Sequence, residues 1–193
     1  MATEMSAVGA PDKVLLLVDI QNDFCEGGSL PVAGSAAIFP VVNQWIDKAL
    51  AEHWLIVASR DWHPVDHCSF RQSGGPWPQH CVQDSPGARF HPAVQLPDSA
   101  IRVSKGSAFD VDAYSAFDGT GLASFLRRRG VTTVYVAGLA LDVCVRATVL
   151  DALRNGFRVV LIGDATRAVD GAAAAGVIRE LEEAGARLHP DPA

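Results

Sequence analysis

Five short stretches of this chain run apolar at consecutive positions and stop at polar or turn residues: Lys13–Asp19, Trp54–Arg60, Val131–Gly138, Phe157–Asp164 and, more weakly, Ala100–Ser104. Runs of that length without alternation are the mark of strands buried on both faces, the condition of a parallel sheet covered by helices on either side. Helical patterns fall between and after them, over Ala36–Ala51, Gly121–Gly130, Val143–Gly156 and Gly171–Gly185. The last three close on a glycine, the usual C-terminal stop. Strands alternating with helices specify an α/β fold, and we expect a Rossmann-like three-layer α/β/α sandwich around a central parallel sheet of about six strands. With 193 residues and roughly 150 residues as a soft prior per domain, the expectation is one domain over residues 13–193. Residues 1–12 are read as a flexible arm.

Charge and composition narrow the partners. Sixteen basic residues against 22 acidic ones leave a formal charge of -6, which argues against a nucleic-acid partner. No apolar run approaches the ~20 residues of a membrane helix. The stretch Met1–Pro11 lacks the basic and apolar regions of a secretory signal, so a cytoplasmic protein with no membrane partner is expected. Cysteines 25, 68, 81 and 144 are too scattered for a disulfide framework and are read as free thiols.

In open parallel sheets, ligands bind beyond the carboxyl ends of the strands. The polar residues at those ends are Asp19, then Asp61 and His63, then Lys105, then Cys144. Cys144 lies where a strand gives way to a helix, in Gly138-Leu-Ala-Leu-Asp-Val-Cys-Val. A helix N-terminus there would lower the thiol pKa and offer N–H groups to an oxyanion. A packed core thiol is an equal reading from position alone. Asp19 is either a turn cap or a site carboxylate, Asp23 is read as turn chemistry, and a lone lysine such as Lys105 is by default at the surface. Asp61 and His63, two apart in extended chain, share a side and could ligate one metal with His80 as a third donor. Such a set suits Zn, Fe(II) or Mn. A zinc site built from His67-Cys68 and His80-Cys81 is set aside, because adjacent side chains in extended chain point apart. His53, His91 and His189 are read as solvated. The stretch Asp61–Ala100, rich in proline and holding His63, His67 and His80, is read as one long functional loop.

Five segments, Val18-Asp-Ile-Gln-Asn-Asp-Phe24, Arg60-Asp-Trp-His-Pro64, Trp77-Pro-Gln-His-Cys81, Lys105-Gly106 and Gly138–Val145, follow one another in this order. Together they resemble the isochorismatase-like cysteine hydrolases, and among them the metal-binding nicotinamidases, also called pyrazinamidases. The resemblance spans nearly the whole chain. It implies that Cys144 is the nucleophile, Asp19 the general acid/base and Lys105 their cationic partner. It implies one divalent metal, zinc favoured over iron or manganese, on Asp61, His63 and His80, with His67 matching a further histidine that some members place there. Phe24, Trp77 and Tyr114 match rings that flank the substrate, and Leu139 a substrate-contacting position. A cis peptide at Leu139–Ala140, with the N–H groups of Ala140 and Cys144 as oxyanion hole, is implied as well. The sequence departs from many relatives at Leu141, where threonine is frequent, and in a longer segment between Lys105 and Tyr114.

The activity this implies is hydrolysis of nicotinamide to nicotinate and ammonia through a Cys144 thioester, with pyrazinamide as a second substrate and a role in NAD salvage. Members occur as monomers and as homo-oligomers. The competing readings are a metal-independent amide or ureido hydrolase of the same superfamily, a metal-water hydrolase in which Cys144 is structural, and a silent binding module. Roles for Cys25, Cys68 and Cys81 stay open.

Overall fold

The structure is a computed structural model and describes residues 11–190. The arm expected over residues 1–12 lies outside the described residues except for its last two. Six strands, β1 (Lys13–Val18), β2 (Leu55–Asp61), β3 (Ile101–Lys105), β4 (Thr133–Leu139), β5 (Arg158–Arg167) and β6 (Arg187–His189), form one sheet in the order β3-β2-β1-β4-β5-β6. Every pairing is parallel. Four helices flank it: α1 (Phe39–Ala51), α2 (Leu122–Arg128), α3 (Arg146–Arg154) and α4 (Ala174–Glu183).

Side-chain alternation along β1 sorts these helices into two layers. Leu15 and Leu17 pack with Val42 and Ile46 of α1 on one face. Val14, Leu16 and Val18 pack with Leu126 of α2, Val149 of α3 and Leu181 of α4 on the other. The five side chains from Val14 to Val18 are out of water, and each contributes about 1.5–3 kcal/mol of burial. Double burial is why the run shows no alternation. The fold is therefore the α/β/α sandwich expected from the sequence.

The chain leaves β1 toward β2 and β3 on one side, and returns as β4, β5 and β6 on the other. That reversal opens a crevice beyond the carboxyl ends of β1 and β4. Val18 is paired with Gly138 there. Gly138 has φ 127°, and a Cβ on it would lie 2.1 Å from the Val18 carbonyl oxygen. Only glycine lets the two strands meet at the crevice.

Some elements differ from the sequence reading. The edge strand β6 spans three residues, too few to show a period. The helix expected from Val143 divides into a turn of π-helix over Leu141–Val145, closed by the Val145 N–H to the Ala140 carbonyl at 3.0 Å, and α3 proper. The long loop after β2 carries only a short 3-10 turn at Arg71–Ser73 and isolated bridges, including His63 to Val82 and Phe70 to Trp77. His91 stacks on Phe39 at 4.4 Å and His189 sets its ring edge-on to Trp45 at 5.1 Å, so these two have aromatic partners. Among the described residues, no helix is long and apolar enough to cross a membrane.

Candidate active site

Each strand that ends at the crevice delivers one polar residue. Asp19 follows β1 in a left-handed conformation, φ 48°, which turns its carboxylate back under the strand ends. Asp61 closes β2 and Lys105 closes β3, paired in register. Cys144 sits in the π-turn after β4, buried and beside them. Lys105 is not at the surface: it is 1% exposed. Its Nζ lies 2.9 Å from Asp19 Oδ2, 2.6 Å from Asp61 Oδ1 and 3.5 Å from Cys144 Sγ, and donates to the Ala113 carbonyl at 3.3 Å. Ser59 Oγ donates to Asp19 Oδ1 at 2.7 Å. Asp19 Oδ2 is buried and takes no hydrogen bond of good geometry, its neighbour being the Lys105 charge. It is free to take a proton from Cys144, whose sulfur lies with the Asp19 and Asp61 carboxylates in a group spanning at most 4.8 Å.

Burial decides most of the protonation states here. It pushes the Cys144 thiol well above its ordinary value, against the pull of Lys105. The sequence argument for a lowered thiol pKa is thus reversed, because desolvation in a closed site outweighs a short helix terminus. Burial also raises Asp19, with Lys105 opposing and Asp61 adding to the rise. For Asp61, burial is overcome by Lys105 and His63, which hold its carboxyl well below the usual carboxylate range. Burial acting alone would lower Lys105, but Asp19, Asp61 and Cys144 hold it charged well above the usual lysine range. Burial thus raises the thiol and the Asp19 carboxyl together, with Lys105 opposing both.

Asp61 also faces the other way. His63 Nε2 and His80 Nε2 lie 3.6 and 3.9 Å from its Oδ2. Both histidines donate through Nδ1 to backbone carbonyls, His63 to Gly106 at 2.8 Å and His80 to Pro78 at 2.7 Å. Those bonds orient each ring so that its Nε2 faces the Asp61 carboxylate. Asp61, His63 and His80 are buried, with donor atoms within 4.8 Å of one another. One ionised carboxylate and two oriented imidazoles fit a divalent cation.

His67 is placed differently. Its ring stacks on His63 at 4.1 Å, but Nδ1 is bonded to Ser69 Oγ at 2.7 Å and Nε2 to the Val111 carbonyl at 3.2 Å. With both nitrogens engaged it packs against His63 and stands outside the three-residue group.

The walls are aromatic. A cleft is lined by Phe24, Trp77, Tyr114, Ala140 and Cys144 together with Asp61, His63 and His80. Trp77 Nε1 donates to Tyr114 Oη at 3.2 Å, and the Phe24 ring lies 5.5 Å from that of His80. Leu139 requires a correction: its side chain is fully buried in the core and does not line the cleft. As the last residue of β4 it alternates inward, and only its peptide link to Ala140, which is cis, reaches the site.

Three residues at the site were given no role in the sequence analysis, although Gln21 and Gly106 lie within its motifs. Gln21 is fully buried and grips the backbone of Asp61 from both sides, Nε2 to its carbonyl and Oε1 from its N–H, each at 2.8 Å. Gly106, at φ 63°, backs the His63 ring so closely that a Cβ would lie 2.4 Å from Cε1. Asp112 lines the cleft. Asp23, read as turn chemistry, accepts from the Ser29 N–H at 3.3 Å and also from the Cys81 N–H at 2.7 Å, which pins the chain next to His80. All four cysteines are free thiols, and burial pushes Cys25 up to about 11.

Comparison with known proteins gives the same outline. The isochorismatase domain family matches residues 13–189. The nicotinamidase/pyrazinamidase of Mycobacterium tuberculosis is 40% identical over 91% of this chain and 97% of its own. The nicotinamidase of Escherichia coli is 39% identical over 93% and 95%. Among solved structures, the pyrazinamidase of Pyrococcus horikoshii in complex with zinc superimposes with a TM-score of 0.90 at 47% identity, over 92% of this chain and 98% of that one.

Proposed function

Because the chain belongs to the isochorismatase family, we propose that it is a nicotinamidase, hydrolysing nicotinamide to nicotinate and ammonia, with pyrazinamide as a further substrate. One observation carries this reading. Cys144, with Lys105 and Asp19 buried behind it, and the Asp61, His63 and His80 group line one aromatic cleft, joined through Lys105 and Asp61. The first suits attack on a carboxamide and the second suits an aromatic nitrogen.

Ring and carboxamide are held between Phe24 and Trp77, with the carbonyl carbon over Cys144. Asp19 takes the thiol proton as sulfur bonds to that carbon, and the carbonyl electron pair moves to oxygen. The N–H groups of Ala140 and Cys144 serve as the oxyanion hole, where one donor is worth roughly 3–4 kcal/mol. The C–N bond then breaks, Asp19 returns its proton to nitrogen, and ammonia leaves a thioester. Water attacks the thioester carbon as Asp19 takes one of its protons; the C–S bond breaks, that proton returns to the Cys144 sulfur, and nicotinate forms. Lys105 balances the two carboxylates throughout and keeps Asp19 from holding its proton. Asp61, His63 and His80 would hold the divalent cation, which supplies Lewis-acid affinity for the pyridine nitrogen. Zinc is favoured, in keeping with the Pyrococcus horikoshii relative.

Ammonia release from nicotinamide by the purified protein tests the reading, with metal content measured on the same sample. Removal of the cation by a chelator is expected to abolish most of the activity, and readdition of zinc or manganese to restore it. Undiminished hydrolysis by metal-free protein would sink the part given to Asp61, His63 and His80. Gly106→Ala probes the same group from behind. The new methyl must displace the His63 ring, and the cation affinity is expected to fall about 10–100-fold, the range for lost ligand support. Competition against a chromophoric chelator reads this directly, and an unchanged affinity would remove His63 from the ligand set.

A further inference from the structure

Two groups of donor atoms meet at Asp61. Asp61, His63 and His80 form one, and Asp19, Asp61 and Cys144 form the other; in each, all three residues are buried and one donor atom from each lies within 4.8 Å of the others. Asp61 gives one oxygen to each group. Its Oδ2 lies 3.6 and 3.9 Å from the Nε2 atoms of His63 and His80, while its Oδ1 lies 2.6 Å from Lys105 Nζ. That ammonium is also 2.9 Å from Asp19 Oδ2 and 3.5 Å from Cys144 Sγ, so the second group surrounds a nitrogen as ligands surround a cation. Asp19 Oδ2 is buried and has no hydrogen-bond partner of good geometry, only this charge. A thiolate is moreover the donor that zinc and other soft cations prefer to a carboxylate. Something must therefore keep such a cation on Asp61, His63 and His80 and off the sulfur.

We propose that the Lys105 ammonium fills a second cation site made by Asp19, Asp61 and Cys144, and so limits the protein to one divalent cation and keeps thiophilic ions off its nucleophile. This rests on the reading of Asp61, His63 and His80 as ligands and goes beyond it, since it concerns a donor set that contains the thiol. Two-metal hydrolase sites hold their cations about 3.5–4 Å apart, and Asp61, with an oxygen turned to each group, is placed to bridge such a pair. Charge allows the exchange once the lysine is gone. As a soft dication binds, the Cys144 S–H bond breaks, its proton goes to solvent and a sulfur–metal bond forms. With both carboxylates ionised, loss of the ammonium and of the thiol proton offsets the two charges that arrive. In the wild type the ammonium is tethered to β3 and held by two buried carboxylates, and an incoming ion would have to break both pairs to displace it.

Cadmium is the probe, because a cadmium–thiolate bond gives an ultraviolet charge-transfer band that carboxylate and imidazole ligation does not. The wild type, Lys105→Met, Cys144→Ala and the double variant are titrated with it, and bound metal is counted on the same samples. The variants lacking Cys144 subtract any contribution of Cys25, Cys68 and Cys81, which are free thiols as well. The wild type is expected to hold about one cadmium per chain without a Cys144-dependent band, and Lys105→Met about two with that band. The double variant should lose both the second ion and the band. A folded Lys105→Met that binds a single ion and shows no Cys144-dependent band overturns the proposal. The wild type tests it even if Lys105→Met does not fold: a second ion, or a Cys144-dependent band, in excess cadmium would show that the ammonium excludes nothing. If the wild type binds no cation, the ligand reading of Asp61, His63 and His80 falls, and the band in Lys105→Met still decides the proposal by itself.

Discussion

Cys144→Ala is expected to lower nicotinamide hydrolysis by at least about 10⁴-fold, the scale seen when a nucleophile is removed from a unit that works together. The loss should come without loss of the cation, because the proposed ligands Asp61, His63 and His80 form a donor group that does not include Cys144. The argument rests on what remains. Asp19 without the thiol is a base with only water to activate, and that water would have to enter a site whose sulfur, carboxylates and ammonium are all buried. Ammonia release and metal content on one preparation check the prediction. Activity within about tenfold of wild type would mean that a metal-activated water does the attack, which is the competing reading of these residues.

Much of the fold was legible because one physical condition leaves a mark. Strands buried on both faces, such as Val14–Val18, read as unbroken apolar runs, and the residues that end them read as site candidates. Asp19, Asp61, His63 and Lys105 were found that way, and the structure brings them together with His80 and Cys144. What stayed hidden depends on contacts that no local pattern encodes. The burial of Lys105 follows from two carboxylates contributed by other strands. The Gln21 grip on Asp61 joins residues 40 apart in sequence. The exclusion of His67 from the three-donor group turns on Ser69 and the Val111 carbonyl, the latter 44 residues away. The thiol direction was misread for a related reason. A helix terminus is visible in sequence, whereas desolvation is a property of the closed cleft.

Lys105→Met is expected to be costly twice over, because its ammonium is the shared positive charge of three buried groups. Removing one member of a buried ionic set costs about 3–5 kcal/mol, since the partners are left in a medium that does not solvate them. Activity should fall by at least about 10³-fold, as Asp19 then holds its proton and cannot serve as base. The pH dependence identifies the cause. In the wild type, Lys105 has a raised pKa in the folded state, so its contribution is present through neutral pH and is lost only as pH climbs through that high value. In the variant, burial acts on Asp19 without the opposing charge and lifts it further above its unfolded value near about pH 4. The folded variant then binds protons that the unfolded chain has released. Its stability deficit should narrow as pH falls from about 8 to about 5. Denaturant unfolding of the metal-free proteins at both pH values reads this. A deficit that stays constant would show that Lys105 stabilises by packing its methylenes, and would remove the electrostatic role assigned to it. Lys105→Arg should not restore activity, because a planar guanidinium cannot occupy the point between Asp19, Asp61 and Cys144 that a compact ammonium fills.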